Sequence, residues 1–165
     1  MTTSAGASAP THCNDSRVAE KQDELRAHPE RGFATLTASS GAAPEGSANP
    51  DLASAQRLLD ALAQCHAATY RLYAEALGIP LTGIQVRLQG ALDLRGLYAA
   101  ADHVRPGFAG IEATVQLSSP ADIYEVERLR ITVERHAPVL DMLRHATPVR
   151  IELVLTHCET APIAA

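Results

Sequence analysis

Three cysteines in 165 residues, at positions 13, 65 and 158, are too few and too scattered for a disulfide framework. The opening Met-Thr-Thr-Ser-Ala-Gly-Ala-Ser-Ala-Pro is too polar for a secretory leader. Both point to a reducing cytoplasm. No apolar run approaches the roughly 20 residues that span a bilayer, so no membrane role is expected. The net charge of -5, with no block of one sign, gives no electrostatic footprint for nucleic acid. There is no internal repeat, no Gly-rich phosphate loop between strand and helix and no Gly-x-Ser-x-Gly elbow, and no cofactor is expected. Cys65-His66 and His157-Cys158 lack the spacing of two ligands on one helical face or of a knuckle, so no metal is expected either. Small molecules or another protein remain as partners.

Residues 1 to about 20 are rich in Ser, Ala, Thr and Asn, and are expected to move freely because they cannot repay the entropy of ordering. A short charged helix is expected over Ala19 to His28, then one strand over Phe33 to Thr37. Ser39 to Pro50 reads as a linker. Beyond it the signals become regular. Asp51 or Ser54 caps a long helix, and Gly78 with Pro80 ends it. Gly83 to Gly90 alternates Ile84, Val86 and Leu88 against polar neighbours, as a half-buried strand does. A second strand follows with Ile111, Ala113, Val115 and Leu117 on one face, after a long loop over roughly residues 90 to 109. Ser119-Pro120, with Asp122 three residues after the serine, starts a second helix that runs to about His136 with Val126, Leu129 and Val133 inward. A helical turn over Val139 to Leu143 and a last strand carrying Val149, Ile151, Leu153 and Leu155 complete an α+β chain with a mostly antiparallel sheet.

Cys65 sits inside the first long helix pattern. Leu58, Leu62, Cys65, Thr69, Leu72 and Ala76 form an apolar stripe on the face expected to be buried. A thiol there is either a small hydrophobe or a reactive group. Reactivity needs the thiolate, and Cys65 lies more than two turns from the helix start, where the dipole supplies little. A nearby cation is required, or the thiol is inert.

The run Ala-Gln-Cys65-His-Ala-Ala-Thr-Tyr-Arg-Leu-Tyr-Ala-Glu-Ala-Leu-Gly78-Ile-Pro80-Leu resembles the osmotically inducible, organic-hydroperoxide-resistance (OsmC/Ohr) family. So do Val-Arg-Leu-Gln-Gly90-Ala-Leu-Asp-Leu-Arg95-Gly96, Arg105-Pro106-Gly107-Phe108 and Glu134-Arg-His136-Ala137-Pro138-Val-Leu-Asp141, in unbroken order from about Asn49 to Leu153. The resemblance implies an OsmC-like domain over residues 49–156, between a flexible segment at 1–48 with at most a short helix and one strand and a tail at 157–165. It also implies an intertwined homodimer in which sheets from both subunits wrap two long helices. In such proteins a helix cysteine, matched by Cys65, is oxidised by an organic hydroperoxide and then condenses with a second cysteine. Here the matching position holds Ala137, which has no sulfur. The glutamate that the resemblance places about ten residues ahead of the reactive cysteine is also missing, since Ser54-Ala55-Gln56-Arg57 stands there. Gly32 to Pro50 is too short for the hairpin that carries the family's arginine.

Two functions stay open. One is a weakly active one-cysteine organic hydroperoxide reductase, a peroxidase that relies on an external thiol. The other is a non-catalytic or repurposed dimer that binds an apolar small molecule at its interface. Arg95 and Arg105 either supply the missing cation from across the dimer or are solvated loop charges. His136 either approaches Cys65 from the facing helix or serves the helix C-terminus. His66 points about 100° away from Cys65 around the helix and reads as a surface or interface residue. Cys158 and Cys13 are candidate substitutes for the second thiol.

Overall fold

The structure, a computed structural model, describes residues 13–41 and 50–154. The first helix, α1 (Cys13–Ala27), leads through a 3-10 turn at Pro29–Gly32 into strand β1 (Phe33–Ser39). Residues 13–20, expected to be loose, are thus part of a helix; residues 1–12 lie outside the described residues. Then come helix α2 (Ala53–Leu77), strand β2 (Gly83–Asp93), the short helix α3 (Leu94–Leu97), strand β3 (Phe108–Ser118), and helices α4 (Ile123–His136) and α5 (Pro138–Arg144).

The three strands form one antiparallel sheet in the order β1-β2-β3, with Leu36 opposite Gly90 and Val86 opposite Val115. Strand alternation sends Leu36 and Ala38 of β1, and Val86, Leu88 and Leu92 of β2, to one face. There they meet Leu59, Leu62, Ala63 and Ala67 of α2. The second half of α2 packs Tyr70 and Ala74 against Leu129 and Val133 of α4, with Ala137 at the joint between α4 and α5. Leu59, Val86, Leu129 and Val133 are the largest fully enclosed side chains. Each contributes about 1.5–3 kcal/mol by leaving water. Gly90 is needed at its place, because a Cβ there would stand 2.6 Å from a ring carbon of Phe108.

Several local expectations are corrected. The buried residues of α2 are Gln56, Leu59, Leu62, Ala63, His66, Ala67, Thr69, Tyr70 and Ala74, so of the expected stripe Leu62 and Thr69 are buried, Cys65 is half-buried, and Leu58, Leu72 and Ala76 are exposed. Leu72 is 62% exposed. The helix is apolar over much of its girth, so more than one stripe satisfies helical spacing, and the sheet selects the one that faces it. Gly78 does end α2, in the left-handed conformation with φ 69°, its N–H donating to Glu75 O at 3.1 Å. At the other end neither Asp51 nor Ser54 caps it; the N-cap is Leu52 without a side-chain bond. Asp51 instead accepts from the Tyr98 hydroxyl and pairs with Arg17, while Gln22 Nε2 donates to Tyr98 O at 2.7 Å. These bonds tie α1 to the start of α2 and to the β2–β3 connection. The cap of α4 is Asp122, whose carboxylate accepts from Glu125 N at 2.8 Å. Ser119 lies three residues earlier and accepts from Ala121 N at 3.1 Å.

The expected last strand does not form. Residues 147–154 have no regular structure, and Val149, Ile151, Leu153 and Val154 are 73–88% exposed. Alternation decides which face a strand buries, but a strand exists only when it pairs, and this segment pairs with no strand among the described residues. Leu155 lies outside the described residues.

Candidate functional site

Cys65 is half-buried on α2, with a reduced thiol. Its carbonyl accepts the Thr69 hydroxyl at 2.8 Å. Among the described residues no group forms a hydrogen bond or ion pair with its sulfur.

The residues singled out as possible support do not gather around this thiol within one chain. Arg95 is folded onto Asp93, with Nη2 2.6 Å from Oδ2, and lies over the Phe33 ring at 5.2 Å. This pairing holds the Asp93 carboxyl below the usual carboxylate range. His136, the last residue of α4, is exposed and its ring lies 5.5 Å from that of Tyr73. Arg105 is exposed and lines a cleft that Cys65 does not reach. The side chain of Cys13 and all of Cys158 lie outside the described residues. At position 137 the alanine is 1% exposed, closing α4 and opening α5. Near the start of α2, where the resemblance implies a glutamate, Gln56 is buried and donates to Thr37 O at 2.7 Å and Asp60 Oδ1 at 3.1 Å. It fastens α2 to β1.

The cleft has a volume of about 870 Å³. One wall is α2, through Leu58, Leu62, His66 and Tyr70, which recur every fourth residue along the helix. The sheet contributes Leu88, Phe108, Ile111 and Val115. From the helices that close the other side come Arg130, Glu134, Leu140 and Arg144.

His66 is therefore no surface residue. It is 7% exposed, stands edge-on to Tyr70, and its Nδ1 is buried without a hydrogen-bond partner among the described residues. Burial pushes its pKa below the ordinary value; Glu134 opposes that shift and Arg144 adds to it. The ring is neutral in the folded chain at neutral pH. Burial likewise raises the Tyr70 phenol. Asp60 Oδ2 is the other buried polar atom without a partner among the described residues. Sequence reading placed His66 at a surface or interface because it judged the residue's direction from Cys65, which is itself only half-buried. The signal was present in Leu62, His66 and Tyr70, spaced by four.

The model of the OsmC-like protein family matches residues 47–152. Among solved structures, the fold is similar to an OsmC like protein from Mycoplasma pneumoniae, with TM-score 0.50 and 22% identity over 56% of this chain and 62% of that one. It is also similar to an OsmC-like hydroperoxide resistance protein from Jannaschia sp. CCS1, with TM-score 0.53 and 24% identity over 67% of this chain and 70% of that one. The chain thus spans about 62% of the length of the Mycoplasma protein. No curated protein matches it.

Proposed function

Because this chain belongs to the OsmC-like protein family, we propose that it is a slow, one-cysteine organic hydroperoxide reductase with Cys65 as the reacting thiol. The carrying observation is Cys65 itself, a half-buried residue on α2 with a free thiol, matched in sequence to the family's reactive position. The thiolate sulfur attacks the distal oxygen of the hydroperoxide and the O–O bond breaks. The leaving alkoxide takes up a proton to become the alcohol, and the sulfur, oxidised by two electrons, becomes the sulfenic acid. With alanine at 137, an external thiol condenses with the sulfenic acid, releasing water and leaving a mixed disulfide. A second thiol frees Cys65 and leaves as the oxidised disulfide. Slowness follows from the absence of a cation bonded to the sulfur among the described residues. Such a cycle suits the reducing cytoplasm expected from the sequence.

A homodimer is part of this reading. The exposed apolar segment 149–154 and the open edge of β3 are complementary, and a second copy can pair one with the other. Arg95, Arg105 or His136 of a second copy is then the candidate source of the cation. The test is to treat the reduced protein with an organic hydroperoxide and a sulfenate trap. Label at Cys65, absent in Cys65→Ser, supports the reading. No label, with Cys65 also unreactive to an alkylating agent at neutral pH, removes it.

The cleft favours the second reading, a repurposed OsmC-like dimer that binds an apolar small molecule. Its wall on α2 presents His66 and not Cys65, so a ligand can bind there without meeting the thiol.

A further inference from the structure

Helix α1 is held to the body by few contacts. Of its described side chains, residues 16–27, Leu25 alone is buried, at 3% exposure. Two polar attachments of α1 converge on one residue of the β2–β3 connection. Gln22 Nε2 donates to Tyr98 O at 2.7 Å, and Arg17 pairs with the Asp51 carboxylate that also accepts the Tyr98 hydroxyl. A 15-residue helix is marginal in water without packing. So thinly attached an element opens at less cost than the sheet and the helices packed on it.

The residue after Tyr98 carries strain. Ala99 has φ 52° and is the one non-glycine residue with positive φ among the described residues. It follows α3, where a left-handed residue lets Ala100 N donate to Arg95 O at 2.8 Å, and glycine is the ordinary occupant of such a position. With four residues, α3 is too short to impose this conformation by itself. Beyond Ala99 the chain folds back, so that the backbone of Val104 and Arg105 lies against Gly96.

We propose that α1 and the β2–β3 connection form a latch. Docked, α1 clamps Tyr98 and keeps Ala99 left-handed. Released, it lets Ala99 relax, and the connection shifts together with Arg105. The strain at Ala99 thus opposes docking, and Leu25, Gln22 and Arg17 offset it. Because the Arg17 side chain is 52% exposed, dissolved salt weakens the latch. The inference needs neither chemistry at Cys65 nor an occupant of the cleft.

The test is amide hydrogen exchange of the full chain, read by NMR in α1, in α4, and at Ala100 and Val104, whose N–H groups donate to Arg95 O and Ala101 O. In the wild type, α1 and the two connection amides should share one protection factor, lower than that of α4. Ala99 is exposed, so Ala99→Gly removes strain without removing packing. It should raise protection of both groups about fivefold, the net of the left-handed strain relieved and the chain freedom that glycine adds. Leu25→Ala should lower both by one common factor, at least about tenfold. Arg17→Gln and added salt should lower both less, and α4 amides that stay protected show that each variant is folded. Protection of α1 as high as that of α4 overturns the latch, because α1 would then leave only on global unfolding. Loss of protection confined to α1 in Leu25→Ala or Arg17→Gln overturns it too. So does indifference of α1 to Ala99→Gly, which would mean that the strain persists after α1 has left.

Discussion

The imidazole of His66 meets the Tyr70 ring edge-on, with 5.3 Å between centroids and 83° between planes. The two residues are one turn apart on α2, and both are buried. Packing fixes the ring while its Nδ1 has no partner among the described residues, so protonation would place a charge where little solvates it.

Stability should therefore fall on mild acidification. The folded pKa of His66 lies below the unfolded value of 6.5, mainly through burial, with Glu134 opposing and Arg144 reinforcing the shift. Above 6.5 neither state holds the proton and the full stability is present. As pH falls from there through the folded pKa, the unfolded chain takes up the proton first and stability is lost. Thermal melting between about pH 7 and about pH 5 should show this decline, and His66→Phe should flatten it. A wild-type slope unchanged by that substitution would place the titration elsewhere.

Tyr98 gives a second handle. Its phenol, pushed up to about 12 by burial and by donation to Asp51, should be among the last tyrosines to ionise in a spectrophotometric titration. Tyr98→Phe should cost about 1 kcal/mol, typical of one lost hydrogen bond. Because Asp51 also pairs with Arg17, Asp51→Asn should speed amide exchange in α1 more than in α4. Equal acceleration in both helices would argue against this route of attachment.

Gly96 tests the connection that carries Arg105. A Cβ at this position would stand 2.4 Å from the Arg105 carbonyl oxygen, a backbone atom that cannot rotate away. Gly96→Ala should displace the segment, lower Tm by several degrees, and cost about 1–3 kcal/mol as overpacked sites do. An unchanged melting curve would mean that this close approach is not kept in solution.

Ala137→Cys asks whether the missing second thiol can be restored. Position 137 lies in the core shared by α2 and α4, so the extra sulfur should cost stability modestly, within about 1–3 kcal/mol. If Cys65 is oxidised as proposed, hydroperoxide should then produce a Cys65-to-137 disulfide, visible by mass spectrometry without reductant. Bridging demands Cα atoms within about 7 Å. A sulfenate that forms and never bridges would mean that the two positions are too far apart.

The sequence made the elements legible wherever a local signal sufficed. Gly78 stops α2 because only a residue without Cβ turns left-handed there cheaply, and Val86, Leu88, Leu129 and Val133 declare their faces by period alone. What escaped depended on contacts distant in sequence. Asp51 looked like a cap, yet Tyr98, 47 residues away, takes its carboxylate. The segment 149–154 alternates as a strand does, but pairing is a property of two segments. At the site, Cys65 drew notice through its chemistry and its resemblance. His66 was read as a surface or interface residue because the face that a helix buries is decided by what packs against it.

Neighbouring positions on an α-helix are turned from each other by about 100°. Gln56, anchored to Thr37 O, and Tyr70, wedged in the core, bracket residues 65 and 66 and prevent α2 from rolling. Imidazole and sulfur are thus tenants of separate rooms with a common wall. A substitution at residue 65 is thus expected to leave the packing of the His66 ring against Tyr70 unchanged.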